Sequence, residues 1–178
     1  MRAKWLVGMA IAVLNTGCVA VVKGDRGTDF GPDAITVQEM RDRLQIEELL
    51  WRYARTLDSN DADGYAAVYT EDGQFGTGEH ATRGRPALRE MILGVKKRRE
   101  DRIAAGEKAT GTLHMTANFW IDFRDHDHAT VHSYWITMFP GAGADTPSRV
   151  AAVGRAEDQL VRVQGRWLIK VRNVSPQD

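Results

Sequence analysis

The stretch "LHMTANFWIDFRDHDHATVHSYWITMF", residues 113–139, decides the fold class. Its first eleven residues alternate, with Leu113, Met115, Ala117, Phe119, Ile121 and Phe123 on one side and His114, Thr116, Asn118, Trp120 and Asp122 on the other. A period of two is that of a β-strand. "RDHDH" is a hairpin-sized connection, and the strand-like pattern resumes over 129–139. Two more strand-like runs, 149–163 and 166–174, are joined by "QG". Four antiparallel strands in succession make a meander.

The chain upstream has a different period. "TVQE" places Glu39 three residues after Thr36, a capping box that predicts a helix start at Thr36. Met40, Leu44, Leu50, Tyr53, Ala54 and Leu57 recur at three- and four-residue spacing and predict one buried face through about Leu57. "DSND" interrupts it. A short helix is expected from Asp61 to Tyr69, leading through "TEDGQFG" into a first strand, and a third helix from "GRPALREMI", where Pro86 suits a first turn. Helices followed by a meander predict an α+β domain, with three helices packed on one face of a curved antiparallel sheet. Such a sheet leaves a pocket under the helices. The polar side of 113–123 is then the pocket wall, and its apolar side needs a cover, for which a second copy of the chain is the simplest candidate.

Composition narrows the partners. The chain has 178 residues, 43% of them hydrophobic, and Lys plus Arg equals Asp plus Glu at 24 each. One domain with one core fits that length. A balanced charge gives no field toward nucleic acid or an acidic membrane. "KKRREDR" at 96–102 mixes signs and reads as a solvated helix end. "RDHDH" gathers His126, His128, Asp125 and Asp127, but adjacent residues at a hairpin tip rarely converge on one ion, so no metal is expected. No phosphate loop, nucleophile elbow or dinucleotide fingerprint is present, and no cofactor is expected.

The first twenty residues stand apart. "MRAK" is basic, "WLVGMAIAVL" is uncharged and apolar, and "NTGC" is small and carries Cys18, the single cysteine. That order is a signal peptide's, so residues 1–20 are expected to direct export to the periplasm or envelope. Cys18 is a candidate for lipidation, the one membrane link expected. Simple cleavage near Ala20 is the alternative. Residues 21–35 read as a loose arm and 36–175 as the domain.

The blocks "IEELLWRYARTLDSNDADGYAAVYTEDGQF", "GTLHMTANFWIDF", "ATVHSYW" and "GRAEDQLVRVQGRWLIKVRNV", in this order, resemble the SnoaL-like branch of the NTF2-like superfamily. The resemblance covers nearly all of 36–174 and implies a cone-shaped α+β fold around a small-molecule pocket. It is similar in particular to scytalone and bile-acid dehydratases, which keep an Asp at the end of the first helix and a His on the first long strand. Those positions correspond to Asp58 and His114, and Tyr53 matches a tyrosine five residues before the Asp in the bile-acid type. Departures are Leu57, where the scytalone type has Tyr, and Phe139 and Ala156, which fall near the places of its second His and its Asn.

A carboxylate beside an imidazole fixes its tautomer and strengthens it as a base. The implied scheme has His114 removing a proton, Asp58 orienting it and Tyr53 donating to a substrate carbonyl, which yields dehydration or isomerisation. On an ideal helix Tyr53 and Asp58 stand about 140° apart, so both reach one pocket only if the helix ends before Asp58. Tyr69, Asn118, Trp120, His132, Tyr134 and Arg172 are candidate pocket residues, with Arg172 expected to pair with Asp58 or meet an acidic substrate group. The competing expectation is a noncatalytic exported ligand-binding or accessory lipoprotein on the same scaffold. Mass spectrometry of the chain purified from an exporting host is expected to show a new N-terminus, at an acylated Cys18 or near Ala20. Recovery of mature protein that still carries Trp5 would refute the export signal.

Overall fold

The computed structural model describes residues 35–141 and 146–175. The expected signal segment, Cys18 and all but the last residue of the arm lie outside them. The compact unit that the described residues form begins at Ile35.

Helix α1 runs Val37–Ser59, with the Thr36 side chain accepting from the Glu39 N–H at 3.0 Å. The "DSND" segment then gives each residue a separate task. Asp58 faces the sheet, Ser59 Oγ donates back to the Arg55 carbonyl, and Asn60 adopts φ 54° with its N–H on Leu57 O. Asp61 caps α2, Ala62–Ala67, by accepting from Gly64 N–H. A left-handed residue followed by a capping Asp turns the chain between two helices within two residues. Strand β1 spans Tyr69–Phe75 and a two-residue β2, Thr82–Arg83, follows a turn of 3₁₀ helix at Gly78–His80. Helix α3, Arg85–Ala104, starts with Pro86 in its first turn.

The meander follows as β3 Leu113–Phe123, β4 His128–Phe139, β5 Arg149–Val163 and β6 Arg166–Asn173. The six strands form one sheet in the order β2-β1-β6-β5-β4-β3, antiparallel except for β1 beside β6. Register shifts in β3, β4, β5 and β6 bend it, as bulges do, and the sheet stays unclosed, with β2 and β3 at its edges. Among the described residues no helix is long and apolar enough to cross a membrane.

The core lies between helices and sheet. Ile46, Leu49, Leu50 and Tyr53 of α1, with Leu88 and Ile92 of α3, pack on Ile121, Val131, Leu160, Trp167 and Ile169. Each buried side chain of this size contributes about 1.5–3 kcal/mol. The first half of α1 corrects the sequence reading: Met40 and Leu44 are exposed, while Asp42 and Ile46 are buried. Asp42 is stable inside because Trp167 Nε1 donates to it at 3.2 Å and Arg162 ion-pairs with it at 2.6 Å. Burial raises the Asp42 carboxyl, but Arg162, Trp167 and Gln38 outweigh it and hold the group below its usual range.

The alternation along β3 also fails, at one point. Ala117 pairs with Tyr134 and Trp120 with His132, so Asn118 and Phe119 together oppose the single residue Ser133. Asn118 takes φ 49°, which its short polar side chain tolerates. This bulge exchanges the faces of the strand. His114 and Thr116 point inward before it, Ile121 and Phe123 after it, and Leu113, Met115 and Trp120 point outward.

Candidate functional site

A cavity of about 190 Å³ opens between the C-terminal half of α1 and the inner face of the sheet. Tyr53 and Leu57 line it from α1, four residues apart and so on one face of the helix. His114 and Thr116 line it from β3, Trp135 and Thr137 from β4, and Arg172 from β6. Its walls are mostly apolar, and the polar groups are few and converge.

The Asp58–His114 pair is its chemical centre. Asp58 Oδ1 accepts from the His114 backbone N–H at 3.0 Å and lies 2.7 Å from Nδ1 of the same residue. Both side chains are largely sheltered, with 10% of Asp58 and 24% of His114 exposed. A carboxylate on Nδ1 keeps the proton there and leaves Nε2 as the nitrogen available to a ligand. The helix does not end before Asp58, as the 140° argument required; it continues through Ser59. Leu57 and Tyr53 face the cavity, Asp58 stands one position round the helix, and the imidazole spans the difference from the strand side. The geometry thus brings Tyr53 and His114 to one cavity with Asp58 supporting from its edge.

The floor holds a second polar pair. Arg172 Nη1 donates to Asp158 Oδ2, and both residues are almost wholly inaccessible. Asp158 and Arg172 are direct cross-strand partners on β5 and β6, which is why Arg172 pairs there and not with Asp58 as expected. Burial pushes the Asp158 carboxyl up to about 6, against the pull of Arg172. The guanidinium lies 4.2 Å over the Tyr53 ring, a cation–π contact that fixes the tyrosine. Asp158 Oδ1 and Arg172 Nε have no hydrogen-bond partner among the described residues.

Five other expected pocket residues lie elsewhere. Asn118, Trp120, His132 and Tyr134 are exposed, Asn118 at the bulge and the other three on the outer face of the sheet, Trp120 because the bulge reversed its direction. His132 there approaches Glu157 at 3.8 Å. Tyr69 is fully buried in the core, its hydroxyl 3.0 Å from that of Tyr65, and burial raises both phenols above their usual range. Trp135 and Thr137, which the sequence reading did not single out, line the cavity from the face of β4 opposite to that of His132 and Tyr134. Trp135 donates from Nε1 to the Arg155 and Val174 carbonyls, and its ring covers Gly154, where a Cβ would come within 2.5 Å of it. A glycine within β5 was the available signal, since strand glycines mark a close approach. Asp158 could be found from its even spacing with Ala156 and Leu160, which places it inside.

At the hairpin tip, His128 Nδ1 contacts Asp125 at 2.8 Å in an exposed local pair. No group of three His, Cys, Asp or Glu residues that could hold a metal occurs among the described residues.

The sequence profile of the SnoaL-like domain matches residues 38–173. No curated protein matches the chain. Among solved structures, Rv3472 of Mycobacterium tuberculosis, a protein of unknown function, is 28% identical, with 79% of this chain and 74% of that one covered and a TM-score of 0.63. A candidate scytalone dehydratase from Novosphingobium aromaticivorans DSM 12444 is 25% identical over 76% of this chain and 84% of its own, with a TM-score of 0.60. An NTF2-like protein of cystatin-like fold from Novosphingobium aromaticivorans, 22% identical, covers 80% of this chain and 91% of its own at a TM-score of 0.59, a likeness of fold.

Removing one member of the buried pair leaves the other charged and unpaired. Asp158→Ala is expected to lower unfolding free energy by about 3–5 kcal/mol, read from urea denaturation. A loss below about 1 kcal/mol would show that the floor pair does not carry structural weight.

Proposed function

The chain belongs to the SnoaL-like domain family, and from that premise we propose that its cavity binds a small, largely apolar, oxygenated molecule and acts on it as a cofactor-free dehydratase or isomerase. The observation that carries this reading is the double contact of Asp58 Oδ1 with the backbone and the ring of His114. A purely structural strand histidine needs no carboxylate on both groups. The pairing supports His114 Nε2 as the proton acceptor, beside a carbon next to a substrate carbonyl. Tyr53, steadied by Arg172, supports donation to that carbonyl as it becomes an enolate. The imidazolium, held by Asp58, then protonates a leaving hydroxyl, giving dehydration, or returns the proton at another carbon, giving isomerisation. The apolar walls supplied by Leu57, Phe75 and Trp135 favour an uncharged ring system at the reacting end.

The likeness to a candidate scytalone dehydratase supports the dehydratase branch. The composition of residues 1–20 supports action outside the cytoplasm. The outer sheet face supports a homodimer: Met115, Trp120, Tyr134 and Val153 are all exposed there, on neighbouring strands.

Two measurements test this. Cyclic hydroxyketones that raise the melting temperature are incubated with the protein, and water loss is followed by the absorbance of the resulting enone. His114→Ala is expected to lower kcat by about 10²–10⁴-fold while ligand affinity changes little. Binding with no turnover across the series would leave the noncatalytic reading in its place. For the dimer, sedimentation of Val153→Glu is expected to give a monomer where the parent chain gives a dimer, and a monomeric parent would refute it.

A further inference from the structure

Further along the chain segments that form the hollow around His114 lies a second cavity. Where the first cavity is lined by Leu57, His114 and Thr137, the next, of about 260 Å³, is lined by Asn60, Thr112 and Phe139. Phe139 is the next residue on the Thr137 face of β4, about 7 Å further, Thr112 stands just before β3, and Asn60 is the C-cap of α1. A third cavity, of about 350 Å³, shares Arg102, Thr110 and Phe139 with the second. The chemistry changes sharply along this path. The inner cavity has one cation, Arg172, already paired with Asp158.

The outer two are lined by Arg98, Arg99, Arg102, Lys108 and Arg149, and among the described residues by no acidic side chain. Arg102 is paired with Glu107 at 2.7 Å, and Arg149 lies 4.3 Å over the Phe139 ring. Arg98, Arg99 and Lys108 have no ion-pair partner among the described residues. Three arginines within five residues of one helix line the second cavity, while Glu100 and Asp101 between them do not, and Asp101 pairs with Lys97 instead. With 24 basic and 24 acidic residues in the chain, this concentration is local and owes nothing to composition. Guanidinium forks are suited to a planar or tetrahedral oxyanion.

We infer that the molecule bound by the His114 cavity carries an oxyanion, a carboxylate or a phosphoryl group, at the end remote from the reacting carbon, and that Arg98, Arg99 and Lys108 receive it. This rests on the preceding reading of that cavity as the substrate site. The ligand is then amphiphilic, with an apolar ring against Trp135 and Leu57 and an anionic end at the arginines. The test uses three probes with one aromatic body, naphthoate, naphthyl phosphate and methyl naphthoate, titrated by calorimetry at low ionic strength.

At least one of the two anions is expected to bind about tenfold or more tighter than the neutral ester, and the tighter one names the group. Arg98→Gln combined with Arg99→Gln keeps good helix formers on an exposed face and is expected to bring that ratio to within about twofold. Lys108→Gln, on a loop outside any helix, is expected to reduce it independently. His114→Asn is expected to retain the full ratio. Equal affinity of ester and anions for the parent protein, or a ratio that survives the double substitution, overturns the inference. An intact ratio without turnover would remove the catalytic reading and leave the oxyanion site. Turnover dependent on His114, with anions and ester bound alike, would do the reverse.

Discussion

The contact between Asp58 and His114 is the constraint on which the layout of the cavity depends. It ties the last turn of the first helix to the first strand of the meander through two hydrogen bonds to one carboxylate oxygen. A charged acceptor with partly excluded water makes bonds of about 1.5–3 kcal/mol each. That energy holds the helix end close to the sheet at one side, while the core of Ile46, Leu49 and Ile169 holds it at the other. The opening is left in between. The same contact leaves only one ring nitrogen for chemistry, so the joint and the proposed reacting group are a single device.

Three of the polar side chains buried in this interior have specific partners. Asp42 is answered by Arg162 and Trp167, Asp158 by Arg172, and Tyr65 by Tyr69. Desolvating a charge costs several kcal/mol, which pairing only partly offsets. The Asp42 cluster lies away from the cavity and closes the fold. The Asp158 and Arg172 pair lies at the cavity floor and retains unused hydrogen-bonding atoms.

One irregular residue divides the surface of the sheet between two tasks. Because Asn118 takes a left-handed conformation, β3 offers His114 and Thr116 to the cavity, then Ile121 and Phe123 to the core, and turns Trp120 outward. A regular strand would bring Trp120 and Asn118 inside and expose Ile121. The bulge therefore supplies both a polar cavity wall and an apolar core from a single strand, and adds an aromatic residue to the outer face.

The element order, the α+β class, the first helix cap, the turn at "DSND" and the hairpin connections were legible from the sequence, because local periodicity and capping chemistry act within a few residues. The nearness of Asp58 and His114 was legible only through family resemblance, since 56 positions separate them. Tertiary structure alone decided three things. Arg172 meets Asp158 because strand register, which no local signal fixes, sets them opposite each other. Met40 and Leu44 face solvent while Asp42 is buried, because partners on distant strands outweigh hydropathy. Trp120 faces outward although His114 on the same strand faces the cavity, because one extra residue in an edge strand reverses every side chain beyond it, and an alternating pattern read without its partner strand cannot show where that reversal falls.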